Sequence, residues 1–233
     1  MRGSGRLLLL IVASLWMLGL AGASLAHAQS TAAPYKGATR YDAAGRVTGT
    51  IAPKSGVGAN KHEATRTTYD ILGRPILVET GVLDTWHDET DAPKDWDDFT
   101  LLSAVSTTYD ALGRKLQERG LEDDGVTPVS LTEYSYDALG RLSCTAVRMN
   151  PAYFTASWQN ACTHRTASNQ GPDRITKQVY DAAGQVLRIQ KAVGTAIEQD
   201  YATYTYTDNG KVETVADANG QLTTYEYDGF DRL

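Results

Sequence analysis

One six-residue phrase, Tyr-Asp-x-x-Gly-Arg, recurs along this chain and restricts its fold more than any other feature. It stands complete as Tyr41-Asp42-Ala43-Ala44-Gly45-Arg46, Tyr69-Asp70-Ile71-Leu72-Gly73-Arg74, Tyr109-Asp110-Ala111-Leu112-Gly113-Arg114 and Tyr136-Asp137-Ala138-Leu139-Gly140-Arg141. Weaker copies follow. Tyr180-Asp181-Ala182-Ala183-Gly184 ends in Gln185, Tyr206-Thr207-Asp208-Asn209-Gly210 lacks the aspartate and ends in Lys211, and Tyr227-Asp228-Gly229-Phe230-Asp231-Arg232 lacks the glycine. Each residue type has a mechanical use. The tyrosine closes a run of strand formers such as Thr132-Glu133-Tyr134-Ser135-Tyr136. The aspartate accepts a backbone N–H two residues on, the next two residues take a type I turn, and the glycine supplies the positive φ of a G1 bulge. Each copy therefore predicts a hairpin tip. Its arginine lies within reach of the aspartate, and an exposed ion pair of that kind contributes about 0–1 kcal/mol.

A further turn, Ala216-Asp217-Ala218-Asn219-Gly220-Gln221, separates Lys211–Val215 from Leu222–Tyr227, so strands and turns alternate without interruption. One hairpin cannot bury its apolar face, so the hairpins must join. The expected fold is all-β: repeated β-hairpins forming a curved or spiralling antiparallel sheet. Composition agrees. The 233 residues include 13 Tyr against 3 Phe, and 21 Gly. Tyrosine suits half-buried strand faces where its hydroxyl stays wet. The formal charge of −6 argues against nucleic acid as a partner, because phosphate neutralisation needs a basic surface.

The first residues read as a separate segment. Arg2 and Arg6 precede an apolar run, Leu7 to Leu20, and Ala26-His27-Ala28 is a small-x-small cleavage pattern. This is the layout of a secretory signal peptide over 1–28, cleaved after Ala28. The expected product, 29–233, is secreted or held at the cell surface, with no stable membrane insertion. Export puts Cys144 and Cys162, 18 positions apart, in an oxidising compartment, where a disulfide is the default. Closing that loop contributes about 3 kcal/mol by the chain-entropy argument. A two-cysteine metal site is the rival; the nearest histidine is His164, and the spacing matches no zinc pattern.

These residues resemble the YD-repeat, or Rhs, family of bacterial surface and toxin-carrier proteins, which also includes the animal teneurins. The family pattern with its closing leucine stands in full from Tyr136 to Leu142, and the resemblance runs from about Tyr35 to Leu233. Arg148-Met149-Asn150-Pro151-Ala152, Ala161-Cys162-Thr163 and Gly171-Pro172-Asp173-Arg174-Ile175-Thr176 look like a subgroup insert. The resemblance implies a long sheet that spirals into a hollow shell. In the family a core-associated segment closes that shell, often with self-cleavage chemistry, ahead of a variable C-terminal toxin or adhesive domain. The sequence stops at Asp231-Arg232-Leu233, short of those parts. The expectation is thus an N-terminal piece of a larger protein or a truncated gene product, whose partners are the rest of the parent shell or a C-terminal effector domain. An edge near Tyr225 to Leu233 is expected to be open to association.

Two intervals hold extra material. The first insert, about 79–100, is rich in aspartate and carries Trp86 and Trp96. Read functionally, it is a loop for a sugar or a cation, with Trp86 and Trp96 as ligand contacts and a cell-surface glycan as the alternative partner. The plainer reading is a long excursion whose aromatics staple it to the sheet while its acids stay in water. The second insert, 144–173, predicts a short helix near 150–160 that starts at Asn150 with Pro151 at its first position. No motif for catalysis, a cofactor or a resident metal emerges. His62, His87 and His164 lie far apart in sequence, and neither a nucleophile elbow nor a phosphate loop is present. The function expected is a scaffold, with a glycan-binding or adhesive module as the alternative and no enzyme.

Overall fold

The computed structural model describes residues 36–54 and 60–233; the signal peptide expected over 1–28 lies outside them. Thirteen strands follow one another: β1 Ala38–Tyr41, β2 Val47–Ile51, β3 His62–Tyr69, β4 Pro75–Leu83, β5 Thr100–Tyr109, β6 Lys115–Leu121, β7 Pro128–Tyr136, β8 Leu142–Arg148, β9 Arg174–Tyr180, β10 Val186–Lys191, β11 Gln199–Tyr206, β12 Val212–Asp217 and β13 Leu222–Thr224. Their order in the sheet is their order in the sequence. The fold is all-β and antiparallel, as the tips predict.

Every odd strand from β1 to β11 ends on a tip tyrosine, and the residue six positions later opens the next strand. Register follows from this. Tyr109 faces Lys115 while Thr108 faces Gln117, so Leu116 is skipped. Tyr136 faces Leu142 while Ser135 faces Cys144, so Ser143 is skipped. The same one-residue slip precedes Tyr41 and Tyr206. The slip is a bulge in the return strand, which increases local twist and re-aims the side chains beyond it.

The chain folds as two compact units. One ends at Arg66 and takes up Thr80–Thr100; the other holds Thr67–Glu79 and Leu101–Leu233. In the first unit Ile51, Ala64, Leu83 and Trp96 form a buried cluster with Ala38, Trp86 and Phe99 packed against it. In the second, Cys144, Ala146, Ala161 and Ile175 do the same with Cys162 and Val193. Both clusters lie where an insert covers strands, because a single antiparallel layer has no second layer to bury its face against.

The helical expectation is shortened by the structure. Asn150 does cap a helix with Pro151 at its first position, its side chain accepting from the Ala152 N–H at 3.1 Å, but the element is one 3-10 turn, Pro151–Tyr153. A second such turn, Pro93–Asp95, sits in the acidic insert, where no helix was expected. Among the described residues no helix is long and apolar enough to cross a membrane.

Gly81 in β4 shows how closely the first insert approaches its strand. A Cβ there falls 2.3 Å from the Thr100 carbonyl oxygen and 2.6 Å from Phe99 Cζ. The obstacle includes backbone, which cannot swing away. Gly81→Ala is expected to destabilise the protein by about 1–3 kcal/mol, the range for overpacking. Chemical denaturation with an unchanged m-value measures it; a midpoint equal to that of the parent refutes the close fit.

Candidate functional site

The tips are built alike. In the tip after β7, Asp137 Oδ1 accepts the N–H groups of Leu139 and Arg141 at 2.9 Å, and Oδ2 accepts Arg141 Nε at 2.7 Å. The Asp137 N–H bonds the Arg141 carbonyl, and the Gly140 N–H returns to the Asp137 carbonyl, both at 2.9 Å. Gly140 has φ 81°, a value that only glycine adopts without strain. Asp42, Asp70 and Asp110 repeat the set with Arg46, Arg74 and Arg114. The degraded copies keep the geometry with other atoms. Asp181 accepts the Gln185 N–H at 2.8 Å, Thr207 Oγ1 accepts the Lys211 N–H at 3.1 Å, and Asp231 itself takes φ 58° where glycine is missing.

These bonds set the acidity of the carboxylates. The Arg46 amide, then its guanidinium, hold the Asp42 carboxyl below the usual range. The Arg74 amide does the same for Asp70 against the opposing effect of burial. Burial pushes Asp110 and Asp137 up, and the amides and guanidinium groups of Arg114 and Arg141 outweigh it.

Neighbouring tips are tied together by a contact the motif does not announce. Each tip tyrosine from Tyr109 onward donates its hydroxyl to the carbonyl of the residue that opens the return strand of the preceding tip. Tyr109 reaches Pro75 at 2.9 Å, Tyr136 reaches Lys115 at 3.0 Å, Tyr180 reaches Leu142 at 2.8 Å, Tyr206 reaches Val186 at 2.8 Å and Tyr227 reaches Val212 at 2.9 Å. The tip arginine lies over the ring of that same tyrosine: Arg74 over Tyr109 at 4.6 Å, Arg114 over Tyr136 at 4.5 Å, Arg141 over Tyr180 at 4.4 Å. Arg74 and Arg141 also donate to the carbonyls of Asp110 and Asp181, at 3.2 and 3.1 Å. The arginine is therefore a link between repeats as well as the partner of its own aspartate, and only the second of these roles is implied by the motif.

The second insert is sewn down by a buried ionic network. Glu133, fully buried on β7, accepts from Gln117 Nε2, Arg148 Nε, Arg165 Nη2 and the Gln159 N–H, at 2.9, 2.5, 2.9 and 2.9 Å. Arg148 Nη1 donates to Asp173 Oδ2 at 2.7 Å and to the Thr163 carbonyl at 2.8 Å. Asp173 also accepts the N–H groups of Met149 and Arg165, at 3.0 and 2.8 Å. Two carboxylates meet two guanidinium groups, and burial, which raises Glu133 and Asp173, is overcome by these donors, so both stay ionised. Cys144 and Cys162 are joined as a disulfide, which fastens the insert to β8. Trp158 Nε1 donates to the Tyr134 carbonyl at 2.9 Å.

In the first insert His87 is a clamp. Its Nε2 meets Asp98 Oδ1 at 2.7 Å and its Nδ1 meets Asp91 Oδ2 at 3.3 Å, while Asp98 Oδ2 accepts the N–H and hydroxyl of Thr85. Burial alone lowers the His87 pKa, and the bond to Asp98, with Asp91 behind it, outweighs burial and raises it. Donor atoms of His87, Asp97 and Asp98 lie within 4.8 Å of one another, the spacing a cation needs; both ring nitrogens of His87 already face carboxylates. Among the described residues the other histidines are placed by backbone: His62 Nδ1 lies 2.9 Å from the Ala52 carbonyl and His164 Nε2 lies 2.6 Å from that of Val193.

The structure corrects one ligand-contact expectation. Trp96 is 3 % exposed and packs in the cluster with Ile51, Ala64 and Leu83, so it has no face for a ligand. Trp86 is half-buried and lines a cleft. The acids around them, Asp84, Asp88, Glu89, Asp91, Asp95 and Asp97, are exposed or half-buried at the surface, which matches the reading of an excursion stapled by its aromatics. Sequence reasoning missed Glu133, Arg148, Arg165 and Asp173. The charged Glu133 amid the strand formers of β7 was the available signal, since an acid at an inward position needs a partner.

A meander of hairpins tied tip to tip defines a repeat scaffold. Residues 206–233 match the family model described as RHS Repeat. Together with the same tip recurring from Tyr41 to Tyr227, this supports an Rhs/YD-repeat assignment for the chain. Of solved structures, the Tc holotoxin pore of Photorhabdus luminescens, in a TccC3-mutant form, aligns at 19% identity with a TM-score of 0.51, over 83% of this chain and 8% of that one. The TcdB2-TccC3-Cdc42 complex aligns at 15% identity with a TM-score of 0.36, over 84% of this chain and 12% of that one. The holotoxin match shows a shared fold. The chain spans about a tenth of the length of these structures. No curated protein matches it.

Two outcomes are expected. Glu133→Gln leaves Arg148 and Arg165 short of a buried counter-charge and destabilises the protein by about 3–5 kcal/mol, read by denaturant unfolding; a loss below about 1 kcal/mol contradicts the network. Stability also falls in acid. Asp42, Asp70, Asp110, Asp137, Glu133 and Asp173 are all held below their ordinary pKa. The stability they supply is present above about pH 4, the unfolded value, and is lost as pH falls through the folded ones. Melting temperatures between about pH 7 and about pH 2.5 test this, and a flat profile refutes it.

Proposed function

We propose that this chain is a structural scaffold: a run of Rhs hairpins forming part of the β-shell of an exported surface-contact or toxin-carrier protein, with no chemistry of its own. The observation that supports it most is the handover between tips. Every hairpin from Tyr69 to Tyr206 offers the next one the same carbonyl, and every following tyrosine takes it. A bond that repeats in this way lets a sheet be extended hairpin by hairpin without redesign of its surface. The buried charges favour the same reading, since the groups of the Glu133 network are engaged with one another. In this proposal the partners are further repeats of the parent shell or a C-terminal effector, and residues 1–28 direct export.

Extension is the test. Two additional hairpins with Tyr-Asp-Ala-Leu-Gly-Arg tips, appended after Leu233, should melt with the rest in one transition at a higher temperature and resist trypsin. Appended hairpins that are cut away, with the melting temperature unchanged, would overturn the scaffold reading. Export is tested separately by a phosphatase fused to Leu233, whose activity should depend on residues 1–28.

A further inference from the structure

Within the first unit, His87 is 8 % exposed and its two ring nitrogens face different carboxylates. Nδ1 lies 3.3 Å from Asp91 Oδ2 and Nε2 lies 2.7 Å from Asp98 Oδ1. Asp97 completes a group in which one ligand atom each of His87, Asp97 and Asp98 lies within 4.8 Å of the others. A neutral imidazole has one N–H and one lone pair. With the N–H turned to Asp91, the lone pair on Nε2 faces oxygens that carry lone pairs of their own, and two negative charges share that spot. Such a meeting needs a cation between its members. Among the described residues no lysine or arginine pairs with Asp91, Asp97 or Asp98, and Arg40 spends Nη2 on the His87 carbonyl instead, at 2.8 Å.

Residues outside this group hold its members in pose. Thr85 donates its N–H and its hydroxyl to Asp98 Oδ2, at 2.7 and 2.8 Å, which turns Oδ1 towards the ring, and Asp91 stands behind Nδ1. A carboxylate behind a histidine and a donor behind a carboxylate are the outer partners that metal-ligating side chains have. One imidazole with two carboxylates suits Zn2+, whereas Ca2+ and Mg2+ take oxygen ligands. Neighbouring ligand atoms of a tetrahedral zinc lie about 3.3 Å apart, so the Nε2–Oδ1 contact opens by about 0.6 Å to admit the ion. Asp97 is exposed, which leaves a path from solvent. We propose that His87 Nε2, Asp97 and Asp98 bind a zinc ion, with water as the fourth ligand. As the Zn–N bond forms, any proton on Nε2 leaves to solvent. The proposal stands apart from the scaffold reading and needs no part of it.

Calorimetric titration of the full chain, first stripped with EDTA, tests it with zinc chloride as the ligand and calcium chloride as the probe for a merely acidic surface. Saturable binding of zinc, at least about tenfold tighter than calcium, is expected. His87→Gln and Asp97→Ala should each weaken it by about tenfold or more, the scale on which even outer partners of a metal site act. Asp123→Ala, an exposed acid of the β6–β7 connection, should leave it unchanged. Asp97 is exposed and its carboxylate has no partner among the described residues, so its variant keeps the test valid should the His87 variant fail to fold. No saturable zinc binding, calcium bound as tightly as zinc, an affinity untouched by Asp97→Ala, or one weakened as much by Asp123→Ala would each overturn the proposal.

Discussion

The tyrosine hydroxyl that crosses from one hairpin tip to the previous one is the bond on which the rest of the structure depends. A tip by itself is a local object, closed by its aspartate and glycine. What makes the tips into a sheet with a fixed stagger is that Tyr109, Tyr136, Tyr180, Tyr206 and Tyr227 each find the carbonyl that opens the preceding return strand. The requirement accounts for Tyr109, Tyr136, Tyr180, Tyr206 and Tyr227 among the 13 Tyr of a chain with 3 Phe. A phenylalanine would fill the same half-buried space and leave that carbonyl unpaired. Arginine adds a plane of charge on the ring, but it is the dispensable part. Gln185 and Lys211 stand in its place at two tips, and there the hydroxyl bonds of Tyr206 and Tyr227 persist at 2.8 and 2.9 Å.

The placement of the inserts follows from the same constraint. Both occupy connections from an even strand to an odd one, β4 to β5 and β8 to β9, which are the turns away from the tips. The ladder therefore crosses each insert unbroken, from Tyr109 to Pro75 and from Tyr180 to Leu142. Extra chain is tolerated where it interrupts nothing periodic, and it then supplies what a single layer lacks. Trp96 and Phe99 cover one strand face in the first unit, and Ala161 covers another in the second.

The two inserts are fastened by different means. The first relies on aromatic burial and on the His87 clamp. The second relies on a disulfide and on Glu133, Arg148, Arg165 and Asp173, an arrangement whose desolvation cost is met only because every charge has several partners. Such a network fixes one path for the insert across β7 and β8, since any other path would leave a buried charge alone.

Much of the fold was legible in the sequence because it is local. The tips, their glycines, the strands between them and the antiparallel order follow from turn chemistry within six residues, and the disulfide joins the two cysteines the sequence holds, 18 positions apart. The helix in the second insert was legible only at its start, where Asn150 and Pro151 act on their neighbours, and not at its end, where tertiary bonds to Phe154 and Ala156 draw the chain out instead. The role of Trp96 and the pairing of Glu133 with Arg165 were not legible at all. The pairing joins residues 32 positions apart, and the burial of Trp96 depends on which face of an insert turns inward. Sequence by itself determined the repeating unit, since a turn is a negotiation among adjacent residues. Only the tertiary structure decided which arginine lies on which tyrosine and which charges go inside, because those choices are made by neighbours in space that no spacing along the chain records.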